Sequence, residues 1–179
     1  LILFVGGDVA LVEMASKFFR YSDLIECGST WDRFGVDNWP KRQESYAGIQ
    51  ALCIKILDPV VDRFGPATLT FGFASAELDR MIREHNGRPN TTRRGDQHAG
   101  HELNREGRPY CPRLGQACDF RIQGVSSRDV AKWLVANVPF DRLYWYGNDR
   151  PIHVSYGPYH SRVMWRLPKD CHPEHLRAQ

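Results

Sequence analysis

No stretch of the sequence is apolar for long enough to cross a membrane: the opening LILFV is interrupted by Gly6 and Gly7 and followed by Asp8, whereas a spanning helix needs about 20 apolar residues. That opening has no basic leader, which makes it a poor secretory signal, and the expected compartment is the cytosol (cytoplasmic). No Cys-x-x-Cys pair occurs. The five cysteines, Cys27, Cys53, Cys111, Cys118 and Cys171, are odd in number and irregularly spaced, so a disulfide framework is not expected in a chain long enough to build its own core. Cys111 and Cys118 are near enough in sequence to share a metal, but buried thiols acting as small apolar side chains are the simpler reading. Charge of one sign is concentrated nowhere. Against 21 Asp plus Glu stand 24 Lys plus Arg, a scattered surplus that permits a nucleic-acid partner without indicating one. Repeats and low-complexity segments are absent too, and with 42% hydrophobic and 25% charged residues the composition is that of an ordinary globular protein.

What is present fits one domain. A chain of 179 residues leaves no room for two cores of the usual size. The expected core runs from about residue 16 to 167, with a long loop at 86–113 and a polar, frayed tail at 168–179. Apolar residues at helical spacing mark VALVEMASKFF and, more strongly, Ile49, Leu52, Cys53, Ile56 and Leu57, one stripe ended by Gly65-Pro66. ATLTFGF alternates as a strand, and Ser75 is placed to cap the helix AELDRMIREH. Beyond the loop, GQACDFRI reads as a strand and SSRDVAKWLVANV as a capped amphipathic helix. FDRLYWYG, RPIHVSYG and SRVMWRL read as a three-strand meander. The predicted class is α+β, a mainly antiparallel sheet with helices packed on one face.

Two polar residues interrupt the most apolar strands. Asp119 lies among Ala117, Cys118, Phe120 and Ile122, and His153 lies between Ile152 and Val154. A buried carboxylate without a strong partner is costly, and a metal would satisfy both side chains. His98 or His101 from the long loop would complete two imidazoles and one carboxylate, the usual protein ligands of a catalytic zinc site that keeps a fourth position for water. A hydrogen-bonded strand histidine is the competing reading of His153, because neutral imidazole both donates and accepts.

The segments FFRYSDLIECG, NWP, ILDPVVDRFGPATLTFGF and ASAELDRMI, followed by DQHAG, LGQACDF and FDRLYWYGNDRPIHVSY, resemble the zinc peptidase superfamily of bacterial D-Ala-D-Ala carboxypeptidases, L-alanyl-D-glutamate endolysins and the hedgehog signalling domain. The resemblance spans about Phe19 to Tyr156. Its specific pattern is Ser-x-His-x-x-Gly-x-Ala-x-Asp, then a strand pair carrying Glu and His. It implies a hedgehog/DD-peptidase-like fold and Zn²⁺ held by His98, Asp119 and His153, with His101 in reserve for the first position.

Three departures from the pattern bear on function. The segment HELNREGRPYCPR stands between His98 and Leu114, and at the undisturbed spacing the first histidine would be Pro112. Tyr146 occupies the place of the family's general base, Glu. With an ordinary pKa of about 10 it suits donation to an oxyanion, while Asp149 is the nearby carboxylate, read either as the group that moves protons instead or as a residue of the turn GNDRP. Ala74 stands where the family often has an arginine that clamps a substrate carboxylate. Arg93, Arg94 and Arg113 from the long loop are the substitutes.

The expectation is therefore a zinc-dependent, metallopeptidase-like hydrolase cleaving an amide or peptide bond in a peptide-like substrate, with cell-wall peptidoglycan suggested by the resemblance. The alternative is a catalytically altered zinc-binding module whose 86–113 loop serves a protein or nucleic-acid partner. A weaker reading gives nucleic-acid or nucleotide handling to the Arg-rich loop with Tyr144, Trp145, Tyr156 and Tyr159, aromatics that in the plainer reading pack the sheet.

Overall fold

The apolar stripe at Ile49, Leu52, Cys53, Ile56 and Leu57 forms the spine of the molecule, and all five side chains are fully buried. The computed structural model describes residues 13–86, 96–166 and 174–176. Within them the stripe runs along α3 (Gln43–Leu52), a π-helical turn (Cys53–Leu57) and α4 (Asp58–Phe64), one continuous rod ending at Gly65. The π turn has a local cause. Pro59 has no N–H to give to the carbonyl of Lys55 and its ring crowds that carbonyl, so the hydrogen-bond ladder widens just before it. Helix α3 has no capping side chain of its own. The buried Glu102 carboxylate serves instead, accepting from the Lys41 and Arg42 amides at 3.1 and 3.2 Å and from the Ser45 hydroxyl at 2.9 Å, an anion at the positive end of a helix.

Ahead of the rod lie α1 (Tyr21–Ile25) and α2 (Ser29–Phe34). Buried Asn38 stitches this part to the segment at 73–75: its amide donates to the Ile25 and Phe73 carbonyls at 2.6 and 2.8 Å and its oxygen accepts from the Ser75 amide at 2.8 Å. After the rod come β1 (Ala67–Phe71) and α5 (Ala76–Asn86), whose first turn the Ser75 hydroxyl caps by accepting from Leu78 N–H at 3.2 Å. The chain continues as β2 (Gln116–Ile122), α6 (Ser127–Asn137), β3 (Arg142–Trp145), β4 (Ile152–Tyr156), β5 (Val163–Arg166) and β6 (Glu174–Leu176).

The sheet order is β1-β2-β4-β3-β5-β6, and every pairing is antiparallel except that of β3 with β5. The α+β class holds, but the sheet is mixed and the expected three-strand meander does not form. Both edges of β4 are taken, by β2 and β3, so β5 goes to the free edge of β3 and shares its direction. The crossover is tight: Arg162 sits at φ 51°, which costs roughly 1 kcal/mol. Its guanidinium is anchored on the end of α6, donating to the Val138 carbonyl at 3.1 Å and to the Val135 carbonyl, and lies 4.8 Å from the centre of the Phe140 ring. The tail also departs from expectation, because residues 174–176 pair with β5 rather than remaining unpaired.

Alternation along the strands separates two faces. Cys118, Phe120, Ile122, Leu143, Ile152 and Val154 join the helical stripe and Val130 and Leu134 of α6 in the main core, each large aliphatic contributing about 1.5–3 kcal/mol. Asp119, His153 and Tyr144 therefore share the opposite face. Helices α2 and α5 pack around a second, smaller cluster of Ala74, Leu78 and Ile82 with Phe71, Trp31 and Val36, so the helices do not all serve one core. Among the described residues no helix is long and apolar enough to cross a membrane.

Within the expected loop, residues 87–95 lie outside the described residues, and the remainder is ordered by its own bonds. Leu103 bridges Pro109, and the Tyr110 amide donates to the Glu102 carbonyl at 2.9 Å, making a narrow finger. Its base is closed by Gly115 N–H donating to His101 Nε2 at 3.0 Å. Gly115 has φ 79°, and a side chain there would run into the Tyr156 carbonyl. Gly115→Ala is expected to cost roughly 2 kcal/mol or more, read as a lower urea midpoint. Gly107→Ala, at φ 74° in open space at the finger tip, should cost about 1 kcal/mol; equal losses at the two positions would remove the close approach as the cause.

Candidate metal centre

Strand register sets the first two residues of the site. Asp119 stands opposite His153 across β2 and β4, and Tyr144 of β3 stands on the other side of His153. Asp119 Oδ1 lies 2.8 Å from His153 Nδ1, and the Tyr144 ring stacks on the His153 ring with centroids 4.6 Å apart and planes at 13°. The finger brings in the third residue. Because its base is pinched shut, the chain returns to β2 close to where it left, and the 3₁₀ turn Gln97–Ala99 lies over the same face. His98 is 1% exposed. Its Nε2 is 3.2 Å from His153 Nδ1 and 3.5 Å from Asp119 Oδ1. Its other nitrogen, Nδ1, is 2.6 Å from the Gly72 carbonyl; a carbonyl only accepts, so Nδ1 carries a proton and Nε2 is the atom presented to the centre.

A fourth residue, Asp96, was hidden in the sequence. Asp96, His98 and His153 each offer one ligand atom, all within 4.8 Å of one another, and this group can hold a metal ion. Asp96 Oδ1 also accepts from the His98 amide at 3.1 Å, capping the 3₁₀ turn. The sequence signal for it is the Asp-x-His spacing in DQHAG. In a short turn that spacing sets a carboxylate beside an imidazole, which a plain loop assignment does not show.

The other expected site residues are distributed differently. His101 is not with the cluster: its Nε2 accepts from Gly115 N–H, and burial lowers its pKa. Asp149 is exposed in the turn between β3 and β4, with no hydrogen bond or ion pair to the cluster among the described residues. Tyr146 lies just beyond β3, half-buried. Burial and then the Asp119 and Asp96 carboxylates push its phenol well above the ordinary range, so it stays protonated. Arg113 is half-buried where the finger returns, and Arg93 and Arg94 lie outside the described residues. Cys111 and Cys118 are fully buried, with thiols raised chiefly by that burial, and Cys118 faces the main core. Of the four aromatics, Trp145 and Tyr156 pack against the main core, Tyr144 covers His153 and Tyr159 is exposed.

Charge is shared unevenly among the clustered groups. Burial lowers the His98 pKa, but the Asp96 and Asp119 carboxylates and the Gly72 carbonyl outweigh it and raise the ring to about 9. Burial raises Asp119, but the hydrogen bonds from His153 and His98 hold its carboxyl well below the usual carboxylate range. The centre thus attracts positive charge, which a proton on His98 or a metal cation satisfies. No family model, curated protein or solved structure matches the chain.

A histidine that holds its proton up to about pH 9 when folded stabilises the fold in full below its unfolded pKa of about 6.5, and that contribution is lost as pH rises through the folded value. The urea midpoint of chelator-treated protein is therefore expected to fall between about pH 6.5 and 9, and His98→Gln to flatten the fall. An undiminished fall in the variant would assign it to other groups.

Proposed function

We propose that the protein is a zinc-dependent hydrolase of amide or peptide bonds with a hedgehog/DD-peptidase-like site. The observation that carries this reading is the triangle of His98 Nε2, His153 Nδ1 and Asp119 Oδ1, with sides of 3.2, 2.8 and 3.5 Å. Zinc bonds of about 2.0–2.1 Å at tetrahedral angles set ligand atoms about 3.3 Å apart, so one ion reaches all three after small shifts. Two imidazoles and a carboxylate suit zinc, whereas calcium and magnesium favour shells of oxygen. Bound there, the ion supplies a Lewis acid for a substrate carbonyl and lowers the pKa of water to about 7.

The chain's own groups do the rest. The Gly72 carbonyl and the Tyr144 ring hold the two imidazoles in place. Asp96 is the carboxylate that carries a proton, at Oδ2, the oxygen not used by the His98 amide, taking it from the attacking nucleophile and passing it to the leaving amine. The exposed Asp149 is poorly placed for that task, and the protonated Tyr146 suits donation from its hydroxyl to a developing oxyanion. On the substrate side, Arg142 shares the sheet face, its Nη1 donating to the Tyr144 hydroxyl at 3.4 Å. The sequence resemblance suggests a cell-wall-type peptide as the substrate class.

Asp96 also favours a second reading. As a fourth protein ligand it would close the coordination shell, and a closed site is a structural clip rather than a catalyst. Metal analysis of the purified protein is expected to find about one zinc per chain, absent in His153→Ala. Asp96→Asn is expected to keep its zinc while cleavage of muropeptides, followed by mass spectrometry, falls about 100-fold or more. Loss of zinc in Asp96→Asn, with no cleavage by the wild type, would support the closed site; no zinc in the wild type would reject both readings.

A further inference from the structure

Beside the metal-facing residues lies a buried polar group that the proposed chemistry does not use. Asp141, just ahead of β3, is fully buried, and among the described residues no cation pairs with it. A buried carboxylate in that position is expensive unless hydrogen bonds satisfy it. One oxygen accepts from Gln97 Nε2 at 2.9 Å and the other from the Ser161 amide at 2.9 Å. Gln97, 1% exposed, is itself fully engaged: Nε2 also donates to the Leu114 carbonyl at 2.8 Å, and Oε1 accepts from the Ser155 hydroxyl at 2.7 Å. An amide committed in these directions has one orientation. Space is reserved for it as well, since a Cβ on Gly157 would stand 2.5 Å from Asp141 Oδ2 and 2.9 Å from Gln97 Nε2.

The network joins the two arms of the centre. Gln97 lies between Asp96 and His98 in sequence, Ser155 is two residues from His153 on the same face of β4, and Leu114 is where the finger rejoins the sheet. The turn that carries Asp96 and His98 is therefore fixed to the strand that carries His153 through the Gln97 amide, whose nitrogen the buried Asp141 carboxylate holds in turn. Placement of ligand atoms must be correct to about half an ångström for an ion to be held well.

We propose that Gln97 is a positioning residue of the metal centre, with Asp141 as its anchor, and that the pair sets the separation of His98 from His153. This rests on the cluster being a metal site, and it assigns to the interior network the work of holding the turn Gln97–Ala99 in ligand register with β4.

The test uses the full chain, with zinc affinity measured by competition against a chromophoric chelator and geometry read from the visible spectrum of the cobalt-loaded protein, both well below the unfolding temperature. Gln97→Met keeps the length and removes every bond, Gln97→Glu sets a carboxylate against Asp141, and Gln97→Glu with Asp141→Asn restores a donor between the two. Each single Gln97 variant is expected to weaken zinc about 10- to 100-fold and to alter the cobalt spectrum, and the double variant to regain at least about fivefold over Gln97→Glu. A purely structural role would lower the melting temperature while leaving the affinity of folded protein unchanged. Should the charged variant not fold, Gln97→Met and Ser155→Ala, which deletes a single bond, carry the comparison. Wild-type affinity with an unaltered cobalt spectrum in Gln97→Met, or a double variant no tighter than Gln97→Glu, overturns the positioning role and leaves the metal centre standing. A wild type that binds neither zinc nor cobalt removes the metal reading and the positioning role together.

Discussion

The register between β2 and β4 is the constraint on which the centre depends. Asp119 faces His153 because Cys118, Phe120, Ile152 and Val154 all face the main core, and a slip of one residue would exchange the two faces. Burying an imidazole and a carboxylate in place of those apolar side chains would cost several kcal/mol. The hydrophobic side of the strands thereby holds the polar side in position. A site built on two paired strands is also more exact than one built on loops, and only the turn carrying Asp96 and His98 has to be brought in separately.

Bringing that turn in is the work of three contacts from this short stretch to residues distant in sequence. The finger closes on itself through His101 and Gly115, Glu102 ties its base to the start of α3, and the Gln97 amide reaches inward to Asp141. Each uses a polar group that looks available for chemistry when seen only as a letter in the chain. Their engagement leaves a small set together on the face of the sheet opposite the main core: two imidazoles, two carboxylates and a protonated phenol. That set favours added positive charge, and the carboxylates of Asp96 and Asp119 raise the His98 ring accordingly.

Much of the frame was legible from the sequence because it rests on local periodicity. The stripe through Ile49 and Leu57, the Ser75 cap and the alternation around Asp119 and His153 all follow from side-chain spacing on a helix or a strand. What was not legible depends on contacts across the chain. The parallel entry of β5 follows from β4 having no free edge, a fact of topology that the turn-rich GPYHSR cannot express. Asp96 was passed over because its value lies in a turn geometry, not in an apolar pattern. Gln97 and Asp141, polar residues bounded by loop and strand, gave no sign of meeting each other. The segment HELNREGRPYCPR hid how near His98 comes to Asp119, since a chain that pinches shut has the same end-to-end reach as a shorter one.

X-ray absorption at the zinc edge, combined with anomalous diffraction from zinc-loaded crystals, addresses the central claim most directly. The account predicts a single ion with nitrogen ligands from His98 and His153 and an oxygen from Asp119, at about 2.0–2.1 Å. An ion held elsewhere in the chain, by cysteine sulfur for example, with His153 and Asp119 still bonded only to each other, would contradict it.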